Sequence, residues 1–169
     1  MGHMKTLEIE LPTRALFGPG ALNRIGELAR ELDFRRTLVV CDPGISEAGY
    51  YDRVARLLKD VGTLVFGYHD FSNNPDSDSI ESGRAFVQSH NVDSIVGLGG
   101  GSSMDCAKGI NFLLTNGGRI QDYWGYQKAL LPMLPMIGVP TTAGTGSEAQ
   151  SYALICDSET HVKMACGDP

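Results

Sequence analysis

Gly99-Gly100-Gly101-Ser102-Ser103-Met104-Asp105 follows an apolar run and opens a stretch of helical spacing. Such a turn suits an anion. Glycines let the backbone approach a phosphate with no Cβ in the way. The free N–H groups of a helix start point at the charge, and the helix dipole adds attraction. Ser102 is placed to cap the helix, and Asp105, three residues on, resembles the acidic partner of a capping box. A capped turn without a ligand accounts for the cap but not for three glycines, so the pattern favours phosphate binding.

Two more segments offer polar groups at the ends of apolar runs. Asp42 follows Thr37–Cys41 and precedes Pro43-Gly44. Its carboxylate can accept hydrogen bonds from a ribose diol and would repel a 2′-phosphate; it also reads as an ordinary turn aspartate. Asp42 lies 57 residues before Gly99. In the G-x-G-x-x-G fingerprint the ribose acid comes about 20 residues after the glycines, so the topology differs although the physics is shared. The second segment is Pro140-Thr141-Thr142-Ala143-Gly144-Thr145-Gly146-Ser147, which leaves an apolar run ending at Val139. Its hydroxyls suit sugar and phosphate oxygens, and by itself it is equally a plain turn. Two glycine-rich loops at two strand ends carry more weight, because open α/β sheets bind ligands at their carboxyl edge.

The elements that must position these loops alternate. Short apolar runs at Thr37–Cys41, Thr63–Phe66, Ser94–Leu98 and Met133–Val139 read as buried strands. Thr6–Leu11 reads as an extended opening segment. Helical spacing links Ala21, Leu22, Ile25, Leu28, Ala29 and Leu32, and then Val54, Leu57, Leu58 and Val61. Asp76–His90, with Ile80, Phe86 and Val87 inward, and Ser102–Leu114 read as further helices. Ser151–Cys156 and Val162–Cys166 read as two short strands around a turn at Asp157-Ser158. Asn116–Lys128, with three glycines, reads as a surface excursion. This βαβα order predicts an α/β fold with a mainly parallel sheet and helices on both faces. Residues 1–4 read as a tag remnant, which leaves residues 5–169 as one domain. The last residues close no element, and a cut inside a longer protein is expected.

Composition narrows the class. With 42% hydrophobic and 20% charged residues among 169, the chain is neither disordered nor membrane-spanning. Its 21 glycines follow no period, which excludes collagen. A formal charge of −6 without a basic stripe argues against nucleic acid. Cys41, Cys106, Cys156 and Cys166 form no C-x-x-C pair and read as reduced thiols of a cytoplasmic protein. The four histidines offer no i, i+4 pair, and His161 reads as a surface residue.

Taken together, the segments resemble the iron-containing (group III) alcohol dehydrogenase family. The resemblance rests on Phe17-Gly18-Pro19-Gly20, Asp42-Pro43-Gly44, Asn73-Asn74-Pro75, Gly99–Ser102 through Asp105-x-Ala107-Lys108, and Pro140 through Glu148, all in the family's order. It implies a Rossmann-like, dehydroquinate synthase-like amino-terminal domain whose helical carboxyl-terminal partner is absent. It also implies that Gly99, Gly100, Gly101 and Ser102 hold the pyrophosphate of NAD and that Asp42 sits by the adenosine ribose, favouring NAD over NADP. Asn74, Thr141, Thr142, Thr145, Leu154 and Lys163 would line the remaining cofactor cleft, with Lys163 alternatively a solvated lysine. Lys108 reads as structural and Tyr152 as core.

The catalytic metal of the family, Fe²⁺ or another divalent ion, would be held by one Asp and three His outside this chain. No catalytic or metal-binding residue is therefore expected within it. The parent reaction would be hydride transfer between a primary alcohol and an aldehyde, in a homo-oligomer. Alternatives are a nucleotide-binding module without catalysis, or a relative of the glycerol dehydrogenase, dehydroquinate synthase or maleylacetate reductase type.

Overall fold

The computed structural model describes residues 13–168; the extended segment expected at Thr6–Leu11 and the tag remnant at residues 1–4 lie outside them. The main sheet has four parallel strands, β1 (Arg36–Val40), β2 (Leu64–Tyr68), β3 (Ser94–Gly99) and β5 (Met136–Pro140), in the order β2-β1-β3-β5. The alternation of side chains along a strand decides the layers. Leu38, Val40 and Ile95 face one core, with α4 (Ser77–Val87) and α5 (Gly101–Asn116). Val39, Val96 and Leu98 face the other, with α1 (Ile25–Glu31) and α3 (Tyr50–Lys59). A parallel sheet covered on both faces follows, as its unbroken apolar runs require.

A second sheet completes the first core. It contains β4 (Gly125–Tyr126), β6 (Tyr152–Cys156) and β7 (Lys163–Gly167) in the order β4-β7-β6, with β6 and β7 antiparallel. Ala153, Ile155, Met164 and Cys166 pack on the side of α5 away from the main sheet. Helix α5 therefore runs between two sheets, and ten of its sixteen residues are buried. Buried positions therefore ring the helix, with the polar Ser103, Asp105 and Asn111 among them.

Two expectations need correction. Asn116–Lys128 is only in part a surface excursion. Ile120 and Tyr123 are 1% and 6% exposed, because one 3-10 turn spanning Ile120–Tyr123 eclipses residues three apart and turns both into the core. Gly125 and Tyr126 then pair with Cys166 and Gly167. Phe86 is not inward but 43% exposed. Ile80, Gly83 and Val87 fill the buried stripe of α4, and Phe86 falls beside it, stacked on His90. No helix of the described residues is long and apolar enough to cross a membrane.

Candidate functional site

The strand order reverses direction between β1 and β3: from β1 the chain moves outward to β2, and from β3 outward to β5. Ligands of open α/β sheets bind at the carboxyl ends of the strands flanking such a switch point. Asp42 follows β1 and Gly99–Ser102 ends β3, so both lie at that point. The loop after β5 is tied to the bend by the Thr141 N–H, which donates to Gly99 O at 2.9 Å. The loop after β2 is tied to it by the Asn74 N–H, which donates to Ser102 Oγ at 3.1 Å. One sheet edge thus gathers Asp42, Asn74, Gly99, Gly100, Gly101, Ser102, Thr141, Thr142 and Thr145.

The bend is a close fit. Gly99 has φ +141°, and a Cβ on it would overlap the Ser103 hydroxyl. A Cβ on Gly100 would stand 3.1 Å from Thr142 Oγ1, and one on Gly101 3.2 Å from Ser147 Oγ. Gly100 and Gly101 therefore let the bend and the Thr141–Ser147 loop approach each other, while Gly99 makes room for Ser103 and Asp42. The capping box expected from Ser102 and Asp105 does not form: Gly100 is the N-cap of α5, and no side chain caps it. The reason is register, since the N-cap lies two residues earlier than Ser102 and puts Ser102 in the first turn. Without a side-chain cap, first-turn N–H groups of α5 remain for an anion.

Asp42 is itself the N-cap of α2 (Pro43–Glu47), where its Oδ1 accepts the Ile45 N–H at 3.1 Å. The turn reading and the ligand reading are compatible, because a carboxylate offers about four lone-pair sites. Ser103, which the sequence did not single out, donates to Asp42 Oδ2 at 3.1 Å.

Leu154 and Lys163 stand apart from this edge, on the second sheet. Leu154 is half-buried and Lys163 exposed, and they alternate away from the core positions Ala153, Ile155 and Met164. The link to the edge is through the backbone: the Cys156 N–H donates to Pro75 O at 3.0 Å. Tyr152 is half-buried and stacked on Tyr126 rather than in the core. His161 is exposed, as expected. Cys41, Cys106 and Cys166 are buried free thiols, and Cys156 is a half-buried one.

Lys108 is structural, as expected, and more specifically so. Its Nζ donates to the carbonyls of Ser147, Gln150 and Tyr152 at 2.5, 2.8 and 2.9 Å. All three ammonium protons are thereby used to hold the far end of the Thr141–Ser147 loop against α5. One turn earlier, Asp105 is buried, and its Oδ1 has no hydrogen-bond partner. Burial pushes its carboxyl up to about 6, against the pull of Lys108, the Leu154 N–H and Lys163. Burial also lowers Lys108, opposed by Asp105 and Glu148. Among the described residues no three His, Cys, Asp or Glu side chains gather as metal ligands.

The family model described as iron-containing alcohol dehydrogenase matches residues 12–169. The chain belongs to the iron-containing alcohol dehydrogenase family. Similar relatives include alcohol dehydrogenase 4 of Schizosaccharomyces pombe, 43% identical over 94% of this chain and 37% of that protein. The NAD-dependent methanol dehydrogenase of Bacillus methanolicus is 34% identical over 91% of this chain and 40% of that protein. Among solved structures, a 1,3-propanediol oxidoreductase superposes with a TM-score of 0.89 at 31% identity, covering 97% of this chain and 43% of that one. The chain thus spans about two fifths of the length of the iron-containing alcohol dehydrogenases it matches.

Proposed function

We propose that this chain is the dinucleotide-binding half of an NAD-dependent, metal-dependent alcohol dehydrogenase that interconverts primary alcohols and aldehydes. The observation that carries the reading is the uncapped glycine bend at the switch point, facing a carboxylate and a threonine-rich loop. A diphosphate fits first-turn N–H groups of α5 and the Ser102 hydroxyl, and a Cβ on Gly100 would crowd the gap between bend and loop. Asp42 would receive the ribose hydroxyls of the adenosine half. Asn74, Thr141, Thr142 and Thr145 would border the path of the cofactor, with Leu154 and Lys163 at its far end. NAD, when bound, supplies the hydride acceptor or donor. The residues of this chain contribute binding and orientation, which is the positional part of catalysis.

The described residues do not suit the metal that the family name implies, since no ligand cluster forms among them. We assign that ion, Fe²⁺ or another divalent cation, to the remainder of the protein, together with most of the alcohol or aldehyde pocket. Exposed Leu130 and Leu131, at 94% and 59%, support burial against further protein, in keeping with a homo-oligomer. The same chain could serve a maleylacetate reductase or glycerol dehydrogenase scaffold, but the family match favours an alcohol dehydrogenase. Crystals soaked with NAD⁺ test the reading: the diphosphate should lie against Gly100–Ser102. A diphosphate placed elsewhere, or no binding by calorimetry at millimolar NAD⁺, would overturn it.

A further inference from the structure

Ser103 lies under the glycine bend with its side chain fully buried, at 0% exposure. Its Oγ donates to Asp42 Oδ2 at 3.1 Å and accepts the Asp42 N–H at 3.3 Å. The other carboxylate oxygen is held locally by the Ile45 N–H at 3.1 Å. Asp42 is therefore gripped from two directions, by its own helix cap and by a hydroxyl 61 residues away in sequence. Gly99 completes the device, because any side chain there would overlap the Ser103 hydroxyl and press on Asp42 Oδ2. The glycine is required at least as much by this buried bridge as by a ligand.

We propose that Ser103 is a positioning residue for cofactor choice, fixing the Asp42 carboxylate so that a dinucleotide 2′-phosphate meets a charge that cannot swing aside. The inference rests on the dinucleotide reading above. Exclusion of a 2′-phosphate by like charge needs a fixed carboxylate. A free aspartate would rotate away from the incoming phosphate and relieve the repulsion. A carboxylate held at both oxygens keeps one lone pair on each for the hydroxyls of an unphosphorylated ribose and opposes the phosphorylated one.

The test compares NAD⁺ and NADP⁺ binding by calorimetry in the unsubstituted protein, Ser103→Ala, Asp42→Gly and the double variant. Losing one hydrogen bond to a charged group should lower the NAD⁺-over-NADP⁺ preference of Ser103→Ala by about tenfold. Asp42→Gly should lower it at least as far, and adding Ser103→Ala to it should change the ratio no further. A purely structural role would weaken both dinucleotides alike, and an unchanged ratio in Ser103→Ala overturns the inference. If Asp42→Gly also leaves the ratio unchanged, or neither dinucleotide binds the unsubstituted protein, the underlying assignment of the ribose site fails as well. A ligand-free readout stands beside these: exchange of the Asp42 amide hydrogen should accelerate in Ser103→Ala, and an unaltered rate overturns the inference on its own.

Discussion

Ser102 Oγ accepts the Asn74 N–H at 3.1 Å, so the glycine bend and the Asn73-Asn74-Pro75 loop are one unit. On its other side that loop receives the Cys156 N–H at Pro75 O. Asn74 itself adopts φ 63°, a left-handed conformation that asparagine tolerates better than most residues.

The bond uses Ser102 as an acceptor and leaves its O–H to donate to a phosphate oxygen. Ser102→Ala removes both interactions. The stability loss should be modest, about 1 kcal/mol. NAD⁺ affinity should fall further, by roughly tenfold, as the loop loosens and a donor disappears. Calorimetric titration beside a urea melt separates the two, and an unaltered dissociation constant removes Ser102 from the site.

Gly99 and Gly100 are adjacent but should fail differently. Gly99→Ala places a Cβ at φ +141° on the Ser103 hydroxyl, and stability should drop by about 2–3 kcal/mol through strain. Gly100 has the ordinary angles φ −82° and ψ −167°, and the neighbour that its Cβ would meet is the exposed Thr142. Gly100→Val should therefore cost only about 1 kcal/mol as a poorer N-cap, yet block the gap in which the diphosphate is proposed to lie. Urea melts with NAD⁺ titration read both effects. A Gly100→Val variant that binds NAD⁺ normally would remove the gap from the cofactor path.

Much of this was legible in the sequence because it is local. Apolar runs give the parallel strands, and the glycine bend and Asp42 are recognisable by what precedes and follows them. Long-range partners were not legible. Nothing near Ser103 announces Asp42, and nothing near Lys108 announces three carbonyls between residues 147 and 152. Ile120 and Tyr123 were hidden because the glycines around them read as loop, while their burial depends on a second sheet whose two longer strands come from residues after 150. The capping box failed for a smaller reason, a two-residue shift of the α5 N-cap from Ser102 to Gly100.

Lys108 offers a direct test of the long-range part. Lys108→Met keeps most of the aliphatic stem but leaves the carbonyls of Ser147, Gln150 and Tyr152 without their donor. It also removes the cation nearest in sequence to buried Asp105. Losing a charged donor to backbone carbonyls typically costs about 2–3 kcal/mol, and a loss of that order is expected in denaturant melts. Amide exchange should rise first between residues 145 and 152, the segment the ammonium holds. A variant as stable as the parent would mean that the loop is held by other contacts.

Asp105 makes the pH dependence testable with its sign. Burial raises its carboxyl from the ordinary 3.8 to about 6, so between those values the folded protein binds more protons than the unfolded chain. Stability from this group is then full below about pH 4 and is lost as pH rises through 6. The loss is bounded by about 3 kcal/mol at 1.36 kcal/mol per pKa unit. Asp76, Asp157 and Glu27 oppose it, since their carboxyls lie below the usual range, for Asp76 against the pull of burial and through its bonds from Ser79, and the whole-protein profile mixes these contributions. The informative quantity is therefore the difference between the parent and Asp105→Asn, which cannot ionise. Their melting curves should diverge as pH rises from 4 to 7, with the asparagine variant gaining relative stability, whereas parallel curves would mean that Asp105 titrates as an ordinary carboxylate.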